Sequence, residues 1–387
     1  MQNIHYTCKV TLLSSDFLEM YRGFWNNLTK PIIGLAPMDG VSDAAFRFIT
    51  AKYGKPSLLI TEFTNVDALH HGAVKALTAF IHDPTEKPVV AQIYGTNPEN
   101  FYKAAIIACE LGFDGIDINM GCPSKSVSGN GAGAGLIRTP DLAQTIIKSV
   151  QQAAQDWANG KTMQEANLHT KIIEYIESAK QGKWATYFDS NNLPTNFYHN
   201  QPFQTARQLL PISVKTRIGF DRPITEEWLK YIIECQPANI SLHGRTLKQM
   251  YTGQADWEEI GKAAKLVHQE LPEMTLIGNG DVKNLDDAKE KITKYGVDGV
   301  LIGRGSFGQP WVFQGLDFST LDKLRVAIEH AEKYEEIFGI GNKSFAPMKK
   351  HFGWYSTGFP GAKELRLKMM ATNNSQELKA VIESFSS

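Results

Sequence analysis

Residues 275–305, "TLIGNGDVKNLDDAKEKITKYGVDGVLIGRG", contain a complete strand–helix–strand unit. Two short apolar runs, 275–281 and 299–305, enclose an amphipathic stretch that begins at Asn284 and has Gly296 just beyond its end. Short apolar runs bounded by turn residues predict strands, and an Asn start with a Gly stop predicts a helix between them. The stretch is therefore typical of parallel α/β folds.

The same unit recurs along the chain. Eight apolar runs alternate with amphipathic stretches, at residues 32–38, 57–63, 89–95, 115–121, 212–219, 239–244, 275–281 and 299–305. Eight such repeats favour a (β/α)₈ TIM barrel over a doubly wound sheet. We expect the barrel over residues 31–318, after an N-terminal extension over 1–30. A small all-helical C-terminal domain is expected over 319–387.

Composition excludes several classes of protein. The chain has 387 residues, 42% of them hydrophobic and 21% charged, which is ordinary for a globular protein. Four cysteines without a CxxC pair, no long apolar stretch and no signal-peptide pattern favour a cytoplasmic, soluble protein without a metal site or a membrane span. A net charge of -1 means that any polyanion must bind at a local basic patch. Residues 343–368 are the candidate patch, and their interleaved aromatics fit either base stacking or a small helical core.

Chemically distinctive residues follow the apolar runs. In a barrel the carboxyl ends of the strands share one rim, where active sites lie. Contact with solvent explains any single polar strand end, but it does not explain polar residues within otherwise apolar runs. The residues concerned are Pro37, Met38, Glu62, Gln92, Asn119, Cys122, Lys215, Arg217, His243, Arg245, Asn279, Asp281, Gly303 and Arg304.

Two glycine-rich turns, 278–281 and 303–310, follow the last two runs. Barrel enzymes commonly bind a phosphate there through exposed backbone N–H groups, and Arg304 would add a charged fork. Lys215 lies inside an apolar run, which is costly unless its ammonium meets an anion or a polar ring. These features together favour bound flavin mononucleotide (FMN), with Gln92 and Asn279 facing its amide-rich edges.

Cys122 precedes a proline, so its backbone is biased toward an extended loop conformation. With an ordinary pKa of about 8.5 it is mostly a thiol at pH 7, which suits proton donation. An inert buried thiol and a nucleophile are the alternatives that position alone leaves open. The alternating glycines at 129–135 do not fit a Rossmann fingerprint, and they predict a mobile loop that closes over the site.

Seven motifs, in order, resemble the bacterial type of tRNA-dihydrouridine synthase. The tail "KKHFGWYSTGFPGAKELR" (349–366) is similar to that family's C-terminal helical domain. The motifs are "LAPMDGVSDAAFR" (35–47), "AQIYG" (91–95), "GIDINMGCPSKSV" (115–127), "ISVKTRIG" (212–219), "SLHGRT" (241–246), "GNGD" (278–281) and "LIGRG" (301–305).

The resemblance implies an FMN barrel that takes hydride from NADPH and passes it to C6 of a uridine in tRNA. Cys122 matches the general acid that protonates C5. Asp39 departs from the small residue usual at its position, although that contact is made largely through the backbone. Flavin-binding positions are implied at Pro37, Met38, Asp39, Gln92, Lys215, His243, Asn279, Gly280, Asp281, Gly303 and Arg304. Substrate contacts are expected at Asn119, Arg245, Lys349 and Lys350.

Alternatives stay open at this point. One is another FMN barrel that reduces a free pyrimidine, as a dihydroorotate dehydrogenase does, and the other is a non-catalytic RNA-binding protein. The stretch between the fourth and fifth runs is too long for one barrel unit, so we expect an insertion at about 158–204 with one helix and a polar loop. This insertion is either a solvated excursion or an added RNA contact. The protein is expected to be a monomer.

Overall fold

The computed structural model describes residues 21–181, 206–339 and 344–386. Within these ranges nine strands form one parallel sheet, which closes because β2 pairs with both β1 and β4. The predicted (β/α)₈ barrel is thereby confirmed. The strands are β1 (Ile32–Leu35), β2 (Leu59–Ile60), β3 (Thr64–Asn65), β4 (Val89–Tyr94), β5 (Gly115–Met120), β6 (Ile212–Arg217), β7 (Asn239–His243), β8 (Thr275–Asn279) and β9 (Gly299–Ile302).

The second barrel position differs from a simple strand. Within the predicted run 57–63, only Leu59 and Ile60 pair with the neighbouring strands before the backbone leaves the sheet. Pairing with β4 resumes at Thr64 and Asn65. One apolar run therefore supplies the first of two short strands at a single barrel position.

Helices surround the barrel and begin where polar caps predict. The Asn284 side chain accepts from the Asp287 N–H, and Gly296 is the C-cap of the same helix. Thr139 is the N-cap before Pro140, as its position suggests, but its side chain makes no capping bond. The helices are Ala44–Gly54, Val66–His70, Pro98–Glu110, Lys125–Ser128, Pro140–Ala158, Thr170–Lys180, Thr225–Ile233, Trp257–Glu270 and Leu285–Tyr295.

Strand alternation divides the barrel's apolar residues between two clusters. Val90, Ile277 and Leu301 pack together with Trp25 in the smaller cluster, whereas their immediate neighbours along each strand belong to the larger one. Because successive side chains point to opposite faces, the smaller cluster fills the barrel interior. The N-terminal segment therefore contributes a core residue, from a 3₁₀ helix at Gly23–Asn27. Residues 1–20, with Cys8, lie outside the described ranges.

The inserted segment lies against the side of the barrel as far as it is described. Its predicted helix is present at Thr170–Lys180. Lys180 pairs with Glu110 at the end of a barrel helix, and a side chain at Gly72 would collide with the His169 ring. The polar loop predicted after this helix falls at residues 182–205, outside the described ranges.

In the described residues after the barrel, four α-helices follow: Thr320–Phe338, Ala346–Tyr355, Ala362–Ala371 and Ser375–Ser386. Of the aromatic residues in the basic stretch 343–368, Phe345, Phe352 and Tyr355 are buried. These three residues therefore belong to a helical core and are not available for base stacking. Their core is continuous with the larger barrel cluster. In the described parts of the chain no helix has the length and hydrophobicity to cross a membrane. The division of the chain at residue 318 stays a prediction.

Buried histidines lie where the C-terminal helices meet the barrel. His330 and His351 are almost fully buried, with ring centroids 4.6 Å apart, and both rings contact Phe46. Burial lowers the pKa of His330 to about 3 and that of His351 well below its ordinary value. Both residues are therefore neutral in the folded protein at neutral pH.

This burial predicts a loss of stability in mild acid. The unfolded chain takes up these protons below about pH 6.5 and the folded chain does not, so stability is complete above that pH and falls as the pH drops toward 3. Each histidine contributes a slope of at most about 1.4 kcal/mol per pH unit. Urea unfolding of wild type, His330→Phe and the exposed-site control His71→Phe between pH 5 and 7 should show a shallower slope for His330→Phe alone. Equal slopes for all three proteins would contradict this assignment.

Candidate active site

A cavity of about 640 Å³ opens at the carboxyl ends of the strands. Most of the positions predicted from sequence line it, so the rim brings together residues that are far apart in the chain. The predicted residues that line it are Pro37, Met38, Asp39, Asn119, Cys122, Lys215, His243, Asn279, Gly280, Asp281, Gly303 and Arg304.

Four predicted positions are not among the residues that line the cavity. Gln92 is fully buried beneath it, and Arg245 is buried behind Asp281. Lys349 and Lys350 lie on the helix Ala346–Tyr355, where the Lys350 ammonium is close enough to Asp39 to lower the pKa of that carboxyl against the effect of burial. The roles predicted for all four residues stay predictions.

Strand phase explains why polar side chains reach the cavity. Val214 packs outside the barrel, so its neighbours Ser213 and Lys215 face inward. In the parallel register, Lys215 is paired with Asn119 on one side and with Ser241 on the other. The polar groups embedded in the apolar runs therefore share the barrel interior near its upper rim.

The Cys122 segment is held by hydrogen bonds from below. The Asn119 Oδ1 atom accepts from the backbone N–H groups of Gly121 and Cys122, at 3.0 and 2.9 Å. Burial raises the pKa of the Cys122 thiol above its ordinary value, and the Asp39 carboxylate adds to the rise. The side chain is thus a thiol at neutral pH, which fits a proton donor better than a nucleophile.

Gly133, one of the alternating glycines at 129–135, packs against this cysteine, and the predicted mobility of the loop stays a prediction. Ala134 donates its N–H to the Cys122 carbonyl at 3.2 Å, and residues 133–137 are buried. Gly133 has φ +56, and a Cβ there would lie 2.9 Å from the Cys122 oxygen. Only glycine allows this close approach without strain. Gly133 and Ala134 therefore form part of the wall that holds Cys122 in place.

Two cations face the cavity, the buried Arg217 and the partly buried Lys215. Burial lowers the pKa of Lys215 to about 8 and that of Arg217 to about 10, and the two charges repel each other. Arg217 donates to the Gly121 carbonyl at 2.6 Å and to the Thr246 carbonyl at 3.2 Å. Among the described residues none accepts a hydrogen bond from the Lys215 ammonium. An anionic or electron-rich ligand would supply the partner that this ammonium lacks.

His243 presents one defined tautomer. Its Nδ1 atom accepts from the Arg245 backbone N–H at 3.2 Å, and burial with four neighbouring cations lowers its pKa well below the ordinary value. The ring is therefore neutral, and its proton lies on Nε2. That N–H is available as a donor beside the Gly280 turn, where Nε2 lies 3.6 Å from the position of an added Cβ.

The far end of the cavity combines exposed backbone with positive charge. Gly280 has φ +123, and a Cβ there would meet the Ala255 side chain at 2.6 Å. The 3₁₀ turn Arg304–Ser306 begins at this rim, so its first N–H groups have no acceptor within the turn. Asp281 binds Arg245 at 2.6 Å and Arg304 at 2.8 Å, which neutralises its carboxylate. This end has the donors of an anion site.

Sequence reasoning missed several residues of the site. Arg217 was noted at a run end without being assigned a ligand. Tyr251 is 66% exposed beside the cavity, on the loop after β7. Phe63 and Phe307 also line it, and Phe307 stacks on Trp354 with centroids 3.9 Å apart. These aromatics lie in loops, where no hydrophobic periodicity distinguishes them. The only sequence signal for them was that they lie close to the ends of the apolar runs.

Comparison with known proteins places the chain in a family. The model of the family "Dihydrouridine synthase (Dus)" matches residues 34–181 and 203–387. The chain is 34% identical to "Probable tRNA-dihydrouridine synthase 2" of Bacillus subtilis over 373 residues, which are 95% of this chain and 97% of that protein. It is 32% identical to "Probable tRNA-dihydrouridine synthase" of Staphylococcus aureus (strain COL), over 95% of this chain and 96% of that protein.

A solved structure of DHODH from Eimeria tenella in complex with ferulenol covers 73% of this chain and 78% of its own, with a TM-score of 0.43 and 14% sequence identity. That similarity is too low to support an inference about function. The family match rests on sequence and extends over nearly the whole chain. With the predicted motifs assembled around one cavity, the chain belongs to the dihydrouridine synthase family.

Proposed function

We propose that this protein is a flavin-dependent tRNA-dihydrouridine synthase, which reduces the 5,6 double bond of uridines in tRNA with NADPH as the hydride donor. The observation that carries the proposal is that the Cys122 thiol and the Lys215 ammonium, which has no hydrogen-bond acceptor among the described residues, line the same cavity. Family membership supports the substrate class. NADPH is the finer part of the proposal, and it rests on the resemblance in sequence.

The residues present fit FMN. The anion site at Gly280, Gly303 and Arg304 would hold its phosphate, and Lys215 would meet the electron-accepting part of its ring. Asn279 and the His243 Nε2–H would complete the polar lining. Bound FMN would supply the hydride that it receives from NADPH to C6 of the uracil.

The protein's own part of the reaction is the proton. As a hydride is added at C6, the Cys122 Sγ–H bond breaks and its proton forms the new C–H bond at C5, which leaves a thiolate. Lys215 and Arg217 lower the pKa of Cys122 through their charge, so both stabilise that thiolate. Solvent then returns the proton. Asn119 also lines the cavity; one hydrogen of its amide nitrogen is donated to Gln92, and the other would hold a uracil carbonyl as enolate charge develops.

We expect the C-terminal helices to bind the rest of the tRNA. Trp354 stacks on Phe307 of the cavity wall, and a side chain at Gly40, beside the cavity residue Asp39, would lie 3.5 Å from the Lys350 Nζ atom. Lys363 and Lys368 are exposed on the next helix. A target base must leave its stack to enter a barrel mouth, so phosphate contacts beside the mouth supply binding energy where it is needed.

We predict that replacing Lys349 and Lys350 together by alanine raises the KM for tRNA about tenfold and leaves kcat nearly unchanged. Two fewer phosphate contacts also make the dependence of affinity on salt shallower. Initial rates at several tRNA and salt concentrations measure both effects. Lys265→Ala, an exposed site on the barrel helix Trp257–Glu270, is the matched control. A KM equal to wild type would remove these lysines from the tRNA surface.

The experiment that tests the function is a direct assay. The purified protein should show a flavin absorption spectrum and should form dihydrouridine in unmodified tRNA when NADPH is added. NADH in place of NADPH tests the preferred donor. A colourless protein without activity would refute the proposal. A yellow protein that reduces orotate and leaves tRNA unchanged would move it to a free-pyrimidine enzyme.

A further inference from the structure

Beneath Cys122 lies a buried chain of polar side chains that the proton transfer itself does not use. Its lower end is Asp117, which is fully buried on β5. One carboxylate oxygen accepts from the Ser213 hydroxyl at 2.7 Å, and the other accepts from the Gln92 Nε2 atom at 2.7 Å. Both oxygens of this carboxylate are therefore engaged.

The chain continues upward through two amides. The Gln92 Oε1 atom accepts from the Asn119 Nδ2 atom at 2.9 Å, so the two side chains are joined head to tail. Asn119 then uses its own oxygen to accept from the N–H groups of Gly121 and Cys122. Three hydrogen-bonded steps thus connect the Asp117 carboxylate to the backbone of Cys122.

The donor and acceptor of each hydrogen bond in this chain are set by the Asp117 carboxylate at its lower end. An ionised carboxylate only accepts hydrogen bonds, so Gln92 must turn its nitrogen toward Asp117 and its oxygen toward Asn119. Asn119 must then turn its nitrogen toward Gln92 and its oxygen toward the backbone N–H groups of Gly121 and Cys122. A neutral amide in place of Asp117 removes this constraint, because both side-chain amides can reverse. A reversed Asn119 would aim its NH₂ group at two N–H donors, which leaves buried donors unsatisfied.

We propose that Asp117 is a positioning residue: its carboxylate fixes the orientation of Gln92 and Asn119, and thereby the place of the Cys122 thiol. The inference rests on the function proposed above. Ser213 has a lesser part, since it satisfies the second oxygen without setting any direction. Burial raises the pKa of Asp117 to about 6, against the hydrogen bonds from Ser213 and Gln92 and the charge of Lys215. The carboxylate is therefore ionised at the pH of 7.5 or above at which the test is run.

The test compares Asp117→Asn, which has nearly the same shape, with Ser213→Ala, which leaves the carboxylate in place. We expect Asp117→Asn to retain flavin and to oxidise NADPH with dioxygen at the wild-type rate. Its dihydrouridine formation should fall by about 10²-fold, the loss typical of a misplaced reacting group. Ser213→Ala should stay close to wild type in both assays.

A second readout does not depend on the reaction. Release of the Cys122 segment should speed alkylation of its thiol by iodoacetamide in Asp117→Asn, as followed by mass spectrometry of the Cys122 peptide. If Asp117→Asn does not fold, Gln92→Leu breaks the same chain of hydrogen bonds. It should likewise lower dihydrouridine formation per bound flavin and speed alkylation of Cys122. Wild-type rates of dihydrouridine formation and alkylation in these variants would overturn the inference. Inactive wild type would instead refute the proposed function.

Discussion

Replacing Cys122 by alanine is expected to reduce dihydrouridine formation by about 10²- to 10⁴-fold, the range that a positioned general acid contributes. The thiol is the proposed proton donor; it lines the cavity, and burial keeps it protonated at neutral pH. Oxidation of NADPH by dioxygen needs no proton at the uracil C5 atom, so it should continue. The measurement is dihydrouridine content of tRNA against NADPH consumption in the same samples.

Two control variants separate the role of a proton donor from a structural role. Cys235→Ala, at a buried thiol on the outside of the barrel, should leave both rates unchanged. Cys122→Ser should recover little activity, because a hydroxyl is a far weaker acid than a thiol. Loss of NADPH oxidation in Cys122→Ala would assign the residue to the flavin site, and full dihydrouridine formation would exclude it as the acid.

Much of the fold was predictable because barrel strands carry their signal locally. Each short apolar run is bounded by turn residues, and the polar positions inside the runs share the inward phase that the structure gives them. Lys215 is the clearest case, since a lysine inside an apolar run has few explanations besides a ligand. The presence of two short strands, β2 within the run 57–63 and β3 just after it, had no local signal, because it depends on which backbone groups find a partner across the sheet.

The site was predictable where a residue type by itself implies one chemistry. It was less predictable where the role of a side chain depends on its hydrogen-bond partners in neighbouring strands. Gln92 was predicted to face the flavin and that role stays a prediction, but nothing in the sequence indicated that its amide joins Asp117 to Asn119. Asp117 lies within the predicted run 115–121 and was not singled out from the sequence. Hydrogen-bond direction across three strands depends on register, and register is set by pairing that no single segment contains.

Replacing Arg47 by leucine is expected to lower the free energy of unfolding more than the other substitutions proposed for this protein. It is fully buried and donates to the Glu86 carboxylate at 2.7 Å, to the Ser42 carbonyl at 2.9 Å and to the Ile81 carbonyl. Arg47→Leu leaves a buried carboxylate without its cation, which costs about 3–5 kcal/mol of unfolding free energy. Burial raises the pKa of Glu86, so the variant should recover part of this loss by taking up a proton. Urea titration at several pH values measures both effects.

The control is an ion pair of the same charges at the surface. Lys52 and Glu329 are 49% and 27% exposed, so Lys52→Leu should cost less than about 1 kcal/mol. The double variant Arg47→Leu/Glu86→Leu tests the mechanism, because removing both charges should cost less than removing Arg47 alone. Equal losses in the single and double variants would assign the effect to the carbonyls of Ser42 and Ile81. Ser42 bonds Met38 at the cavity, so in that case flavin content should fall together with stability.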